Sequence, residues 1–125
     1  MEILPLSGAG RPVIESYGAG GFRVGGQAHA GSVIVLPDRV IGWPVRDAAD
    51  VTVASLGPIL DRTAELDILV LGCGGTGAPV RDDVRRALQT ARVALEVMGT
   101  GAACRTFNVL LGEDRRAAAA LIAVP

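Results

Sequence analysis

The chain has 125 residues, half of them hydrophobic, which favours one packed domain and argues against a disordered chain. Twelve basic residues against 13 acidic ones leave a net charge of -1, which excludes a strongly basic nucleic-acid-binding surface. Every basic residue is an arginine, so lysine Schiff-base chemistry and the usual P-loop lysine are excluded. We expect a single α/β domain over residues 1–125.

Short strand patterns separated by glycine turns fill the first third of the chain. Alternating or β-branched residues predict strands at residues 13–17, 22–24, 32–36 and 39–43. Pro37 and Asp38 fit the turn of a hairpin between the last two of these strands. This third of the chain is therefore predicted to be an antiparallel β annex.

After Pro44 the hydrophobic period changes to that of helices alternating with buried strands. Thr52 fits the cap of a short helix, Pro79 the start of a second helix, and the residues Gly99, Thr100 and Gly101 a turn into a third. Continuous apolar runs predict strands at residues 67–72, 93–98 and 117–124. The second half thus predicts a β-α-β-α-β order, and the chain as a whole an α/β fold.

The segment Gly72–Gly77 matches the dinucleotide-binding pattern G-x-G-x-x-G and lies between a predicted strand and a predicted helix. However, Glu96, the acidic residue nearest the expected ribose-binding position, lies inside the next strand. The remaining chain is too short for a second nucleotide-binding half. We therefore interpret the segment as a tight turn, and an anion on the helix N-terminus stays open as an alternative.

Two cysteines, Cys73 and Cys104, and one histidine, His29, are the residues with nucleophilic or soft metal-binding chemistry. They form no C-x-x-C motif, so we predict no metal site and interpret both thiols as structural. We expect His29 in a turn or at a sheet edge. Because no secretory segment is recognisable at the start, a reduced cytoplasmic protein without a transmembrane segment is expected.

Arg105, Thr106 and Asn108 are polar residues in an otherwise apolar helix that follows a predicted strand. Ligands of open α/β sheets bind beyond the carboxyl ends of the strands, which makes these residues candidates for binding a small anion or a partner. The same side chains could instead cap and bridge neighbouring loops. The sequence leaves both interpretations open.

The chain resembles a known family in both halves. The matching residues are 17–18, 21–24, 31–33, 36–37 and 43 in the first half and 72–74, 97–100 and 103–110 in the second. The family comprises small uncharacterised bacterial and archaeal domains and includes mitochondrial complex I assembly factor three. The resemblance implies a three-layer α/β fold with a mixed central sheet and an added β layer, and no established enzymatic activity. The eukaryotic relative assembles NADH:ubiquinone oxidoreductase, and bacterial relatives are often linked with membrane-protein export genes. The family usually has an aspartate where Gly99 stands here, so an acid/base role there is in doubt.

We therefore expect a non-catalytic accessory or assembly-type domain that acts through protein contacts, without a cofactor. Its partners would be respiratory or membrane-protein assembly components, and self-association is also compatible with the sequence. The alternative is a small-molecule or anion-binding protein, or an enzyme, that uses a cleft between the Gly72–Gly77 loop and Arg105. The candidate binding residues are Trp43, Gly72, Gly74, Thr100, Arg105, Thr106 and Asn108.

Overall fold

The computed structural model describes residues 12–125, which form two β-sheets and several helices. A three-stranded antiparallel sheet has the order β1-β2-β3, and a five-stranded sheet has the order β5-β4-β8-β6-β7. The strands are β1 Ile14–Gly18, β2 Gly21–Val24, β3 Gln27–Ala30, β4 Ser32–Val35, β5 Val40–Trp43, β6 Ile68–Gly72, β7 Ala94–Met98 and β8 Ala117–Leu121.

The five-stranded sheet is mixed. β6 is a buried interior strand and pairs in parallel with the edge strand β7 on one side and with the central strand β8 on the other. β4 runs antiparallel to β8 and to β5, with which it forms the predicted hairpin. Every residue of β4, β6 and β8 is buried, as their continuous apolar runs require.

The α-helices are α1 Gly57–Leu60, α2 Asp82–Thr90 and α3 Thr100–Gly112, and three-residue 3-10 turns lie at Ala48–Asp50, Ala54–Leu56 and Thr63–Glu65. Thr52 and Ser55 each accept a hydrogen bond from the other's backbone N–H, at 3.1 and 2.9 Å, as a reciprocal cap before α1. The predicted cap at Thr52 is therefore present.

Hydrophobic side chains form one core on each face of the central sheet. Buried residues of α2 and of the segment before β6 pack on one face. On the opposite face, α3 packs together with Ile14, Phe22 and Val24 of the three-stranded sheet. The result is the three-layer α/β arrangement with an added β layer that the sequence and the resemblance predicted.

Four features differ from the predicted ones. The added layer contains only β1–β3, because β4 and β5 extend the central sheet instead. Strand β3 was not predicted. Helix α2 begins at Asp82 rather than at Pro79, and β8 ends at Leu121 rather than at Val124.

Arg62 ties the β4–β5 turn to the 3-10 turn that follows α1. Its guanidinium donates to Asp38 at 2.6 Å and to both carboxylate oxygens of Glu65, at 3.1 and 2.6 Å. These hydrogen bonds lower the pKa of Asp38 below its ordinary value of 3.8 and that of Glu65 below 4.5. A carboxyl group with a lowered pKa stabilises the folded chain at pH values above its ordinary pKa. This contribution is lost as the pH falls through the lowered pKa.

We expect Arg62→Met to flatten the acid limb of the stability curve. Wild type should lose stability more steeply than the variant below about pH 4.5, and the two curves should run parallel near pH 7. The effect is modest because both carboxylates are exposed to solvent. Thermal unfolding across this range measures it, with exposed Arg85→Met as the control. Equal slopes for wild type and Arg62→Met would contradict the assignment.

Candidate functional site

The candidate residues cluster where the parallel strands end. β6, β7 and β8 finish together, with Gly72 beside Met98 and Leu121 in the register. The glycine loop leaves β6 at this edge, and α3 begins there with Gly99 as its N-cap. Topology therefore brings Gly72, Gly74 and Thr100 into contact, although 28 positions separate the first from the last.

Thr100 lies at the centre of this edge of the five-stranded sheet and is fully buried. Its hydroxyl donates to the Ile122 carbonyl at 2.6 Å and accepts the Gly74 N–H at 3.0 Å. Its own N–H donates to the Gly74 carbonyl at 2.8 Å. The side chain therefore holds the glycine loop, the start of α3 and the segment after β8 together.

Two glycines make this close approach possible. A Cβ on Gly72 would lie 3.0 Å from the Thr100 Cα and 3.1 Å from the Ala103 Cβ. Gly74 has a positive φ of 93°, which L side chains rarely adopt. Tight packing of loop, strand and helix accounts for both residues, in agreement with the interpretation of Gly72–Gly77 as a tight turn.

Asn108 completes the outer edge of β1. Its side-chain oxygen accepts the Ile14 N–H at 2.9 Å, and its Nδ2 donates to the Ile14 carbonyl at 2.8 Å. The amide thus replaces the backbone of a neighbouring strand and fixes the three-stranded sheet to α3. This is the bridging role that the sequence left open as the alternative to ligand binding.

We expect Asn108→Leu to lower the free energy of unfolding by about 1–3 kcal/mol, because it leaves two half-buried backbone groups of Ile14 without partners. Hydrogen exchange of the β1 amides should accelerate beyond this global change. Chemical denaturation and hydrogen-exchange mass spectrometry measure the two effects. Val109→Ala on the exposed face of the same helix should change stability by less than about 0.5 kcal/mol. A stable Asn108→Leu chain with protected β1 amides would contradict this role.

Arg105 and Thr106 lie on different sides of helix α3. Arg105 is exposed, and its Nη1 donates to the Tyr17 hydroxyl at 3.4 Å. The Thr106 hydroxyl contacts the Met98 sulfur at 3.3 Å. Arg105 therefore contacts the three-stranded sheet, whereas Thr106 contacts the end of β7.

Trp43 lies at the same end of the central sheet but belongs to the other core. It is opposite Ser32 in the β4–β5 pairing and is only 5% exposed. Its indole N–H donates to the Ser55 carbonyl at 2.8 Å, which anchors the segment before α1. The structure thus packs Trp43 against the face of the sheet opposite α3.

Both thiols lie in surroundings that disfavour the thiolate. Burial raises the pKa of Cys104 to about 11 and also raises that of the half-buried Cys73. Neither environment is one that activates a nucleophile. His29 lies in the edge strand β3, opposite Phe22, as expected for a sheet-edge residue.

We expect both thiols to react slowly with a disulfide reagent at about pH 8 in the folded chain, Cys104 more slowly than Cys73, because the thiolate is the reacting species. In denaturant both should react promptly. A time course of 5,5′-dithiobis(2-nitrobenzoic acid) absorbance on folded and unfolded chain measures this. Immediate release of two equivalents from the folded chain would contradict the prediction.

A shallow cavity of about 590 Å³ lies over the three-stranded sheet, and its lining includes Arg23 and His29. None of the candidate binding residues lines it. Within residues 12–125, no group of three or more His, Cys, Asp or Glu side chains could hold a metal ion. The same part of the chain contains no helix long and apolar enough to cross a membrane.

Sequence reasoning missed Tyr17 and Val109, the two large hydrophobic residues that are exposed in the described part of the chain. Val109 follows Arg105 by one helical turn, so the helical period could have placed it on the same face. The position of Tyr17 depends on the contact between β1 and α3, which no local pattern shows.

A family model described as a protein of unknown function (DUF498/DUF598) matches residues 14–122. NADH dehydrogenase (ubiquinone) 1 alpha subcomplex assembly factor 3 from Danio rerio is 35% identical over 125 residues, covering 100% of this chain and 72% of that protein. The match covers 60% and 61% of the proteins of the same name from Xenopus tropicalis and Bos taurus. The chain thus spans roughly two thirds of these relatives.

Solved structures show the same fold. An outer membrane protein from Bartonella henselae superposes with a TM-score of 0.88 at 36% identity, covering 92% of this chain and 97% of that one. An NMR structure of a Rhodopseudomonas palustris protein gives a TM-score of 0.81 at 40% identity, covering 100% of this chain and 91% of that one.

Proposed function

This chain belongs to the DUF498/DUF598 family, and from that membership we propose that it is a non-catalytic accessory domain that assists the assembly of a respiratory or other membrane-bound complex. In this proposal the chain acts as one domain in the cytoplasm. It works through protein contacts rather than through a bound cofactor.

One observation carries the proposal: the whole chain aligns at 35% identity with a protein named as an assembly factor of NADH dehydrogenase. The match covers the whole chain and so includes both sheets and the three α-helices of residues 12–125. The likeness to the named assembly factor therefore extends over the α/β fold and is not confined to one motif.

The geometry of the candidate site supports the same proposal. The Thr100 hydroxyl donates one bond and accepts another within the fold, and the Asn108 amide does the same. These side chains hold elements together and are not presented to a ligand. Arg105 contacts Tyr17 instead of the glycine loop, which weakens the alternative of a cleft between that loop and Arg105.

Deletion of the gene in the source organism tests the proposal. We expect the amount of assembled NADH:ubiquinone oxidoreductase on native gels to fall and partly assembled forms to accumulate, with recovery when the wild-type gene is restored. Mild crosslinking with a tagged chain should recover respiratory or translocation components above a tag-only control. Normal assembly in the deletion strain, together with no such component recovered, would overturn the proposal.

A further inference from the structure

The outward face of α3 carries an exposed strip where the helix meets β1. We call the residues Tyr17, Gly101, Arg105 and Val109 the α3 strip. Tyr17 is 42% exposed and Val109 is 58% exposed, and these are the two exposed large hydrophobic side chains of residues 12–125. Both are neighbours of Arg105, Tyr17 by direct contact and Val109 by one helical turn.

The position of Tyr17 on the helix is fixed by packing. A Cβ on Gly101 would lie 2.5 Å from the Tyr17 hydroxyl oxygen and 3.0 Å from its Cζ, so the phenol rests directly on the first turn of α3. The absence of a side chain at Gly101 makes room for the ring. An aromatic side chain held in place loses little conformational freedom when a partner covers it.

Arg105 differs from the arginines that stabilise the fold. Arg62, Arg81 and Arg116 each bind a carboxylate through two nitrogens or bridge two carboxylates. Within the described residues, Arg105 has the Tyr17 hydroxyl as its polar partner and no carboxylate.

The neighbouring elements do not supply the missing carboxylate. Helix α3 itself contains no aspartate or glutamate. Glu15, the acidic residue of β1, accepts the Gly26 N–H at 2.7 Å and lies 3.8 Å from Arg23. Within the part of the chain that the structure describes, Arg105 thus has no carboxylate partner, and the two exposed large side chains beside it, Tyr17 and Val109, are hydrophobic.

We propose that the α3 strip is a docking surface for an acidic segment of a partner protein, in which a carboxylate side chain is flanked by apolar ones. Because Arg105 donates to the Tyr17 oxygen, the phenolic O–H can itself act as a donor beside the remaining guanidinium N–H groups. One carboxylate accepts from both groups, and the apolar neighbours cover the Tyr17 ring and Val109. Tyrosine and arginine side by side are the residue types that dominate binding energy in protein interfaces.

This inference rests on the proposed function, because it names the surface through which the protein contacts would form. The test uses the isotope-labelled full chain and two capped helical peptides. In the first peptide, leucines repeat along one helical face and each has a glutamate one helical turn away. The second peptide is identical except that glutamine replaces each glutamate. Amide chemical shifts locate the binding site and give both dissociation constants.

We expect the glutamate peptide to shift the amides of residue 17 and residues 101–109, and the glutamine peptide to bind roughly tenfold more weakly. Arg105→Gln should weaken binding of the glutamate peptide by a similar factor, Tyr17→Phe by less, and Arg85→Gln on α2 not at all. Since Arg105 and Arg85 are both exposed, neither change should prevent folding, which the amide spectrum verifies.

Four results of the peptide test would overturn the inference: equal affinity for the two peptides, no binding of either, shifts confined to other surfaces, or no difference between Arg105→Gln and Arg85→Gln.

Concentration-dependent shifts of the strip without peptide would assign it to a second copy of this chain. Shifts of the strip on phosphatidylglycerol vesicles, without peptide binding, would assign it to a lipid surface. Either of these would also overturn the inference. Recovery of assembly components in cells without peptide binding would leave the proposed function standing and reject only this surface.

Discussion

Thr100→Val should lower the free energy of unfolding by about 2–4 kcal/mol, because one substitution leaves a buried carbonyl and a half-buried N–H without their side-chain partner. Valine has nearly the shape of threonine, so packing is kept and the hydroxyl alone is lost. The Ile122 carbonyl then loses its 2.6 Å donor, and the Gly74 N–H loses its 3.0 Å acceptor. Since the Thr100 side chain and its bond to Ile122 are buried, water does not replace the donor of the Ile122 carbonyl.

Chemical denaturation measures this loss, and Thr106→Val is the matched control on the same helix. The Thr106 hydroxyl contacts only the Met98 sulfur at 3.3 Å, a weak acceptor, so the control should lose less than about 1 kcal/mol. Thr100→Ser keeps the hydroxyl and should recover most of the stability. A Thr100→Val chain as stable as the Thr106→Val chain would show that the hydroxyl does not hold this edge together.

The roles of Thr100 and Asn108 mark the limit of what the sequence could predict. Asn108 stood out as a polar residue in an apolar helix, and Thr100 was a candidate binding residue in the turn before that helix. Their partners are distant in sequence: Asn108 binds Ile14 across 94 positions, and Thr100 binds Ile122 across 22. Because such pairs depend on how sheets and helices pack, a local pattern could not separate bridging from ligand binding.

The buried strands of the five-stranded sheet were predictable because their apolar composition indicates burial. β6 is a continuous apolar run, and Pro37 and Asp38 give a clear turn signal between β4 and β5. Burial on both faces requires such runs, and the predicted strands include β4, β6 and β8, whose residues are all buried. The fold class was confirmed for this reason.

The missed details lie where side chains are small or the local signal conflicts. β3 has the sequence Gln-Ala-His-Ala, which lacks the β-branched and aromatic residues that identify strands, and its pairing with β2 decides its conformation. Pro79 fits a first helical position, yet the helix begins at Asp82. Asp82 and Asp83 then lie in the first turn, where carboxylates favour the helix dipole.

Gly72→Ala should lower the free energy of unfolding by about 1–3 kcal/mol, although a single added methyl group usually stabilises a chain by limiting its unfolded state. The new Cβ would meet the Leu121 Cδ2 at 3.0 Å, the Thr100 Cα at 3.0 Å and the Ala103 Cβ at 3.1 Å. One of these contacts is backbone, and Leu121 and Ala103 are fully buried, so neither the strand nor the helix is able to move without disturbing the core.

Gly42→Ala in β5 is the matched control, because it adds the same methyl group to a strand glycine whose Cβ position has no atom within 4 Å. Chemical denaturation should therefore show Gly42→Ala close to wild type and Gly72→Ala clearly less stable. Since Gly72 and Thr100 share one contact, the double variant with Thr100→Val should lose less than the sum of the two single losses. Equal stability of the two alanine variants would mean that helix α3 lies farther from β6 than the structure places it.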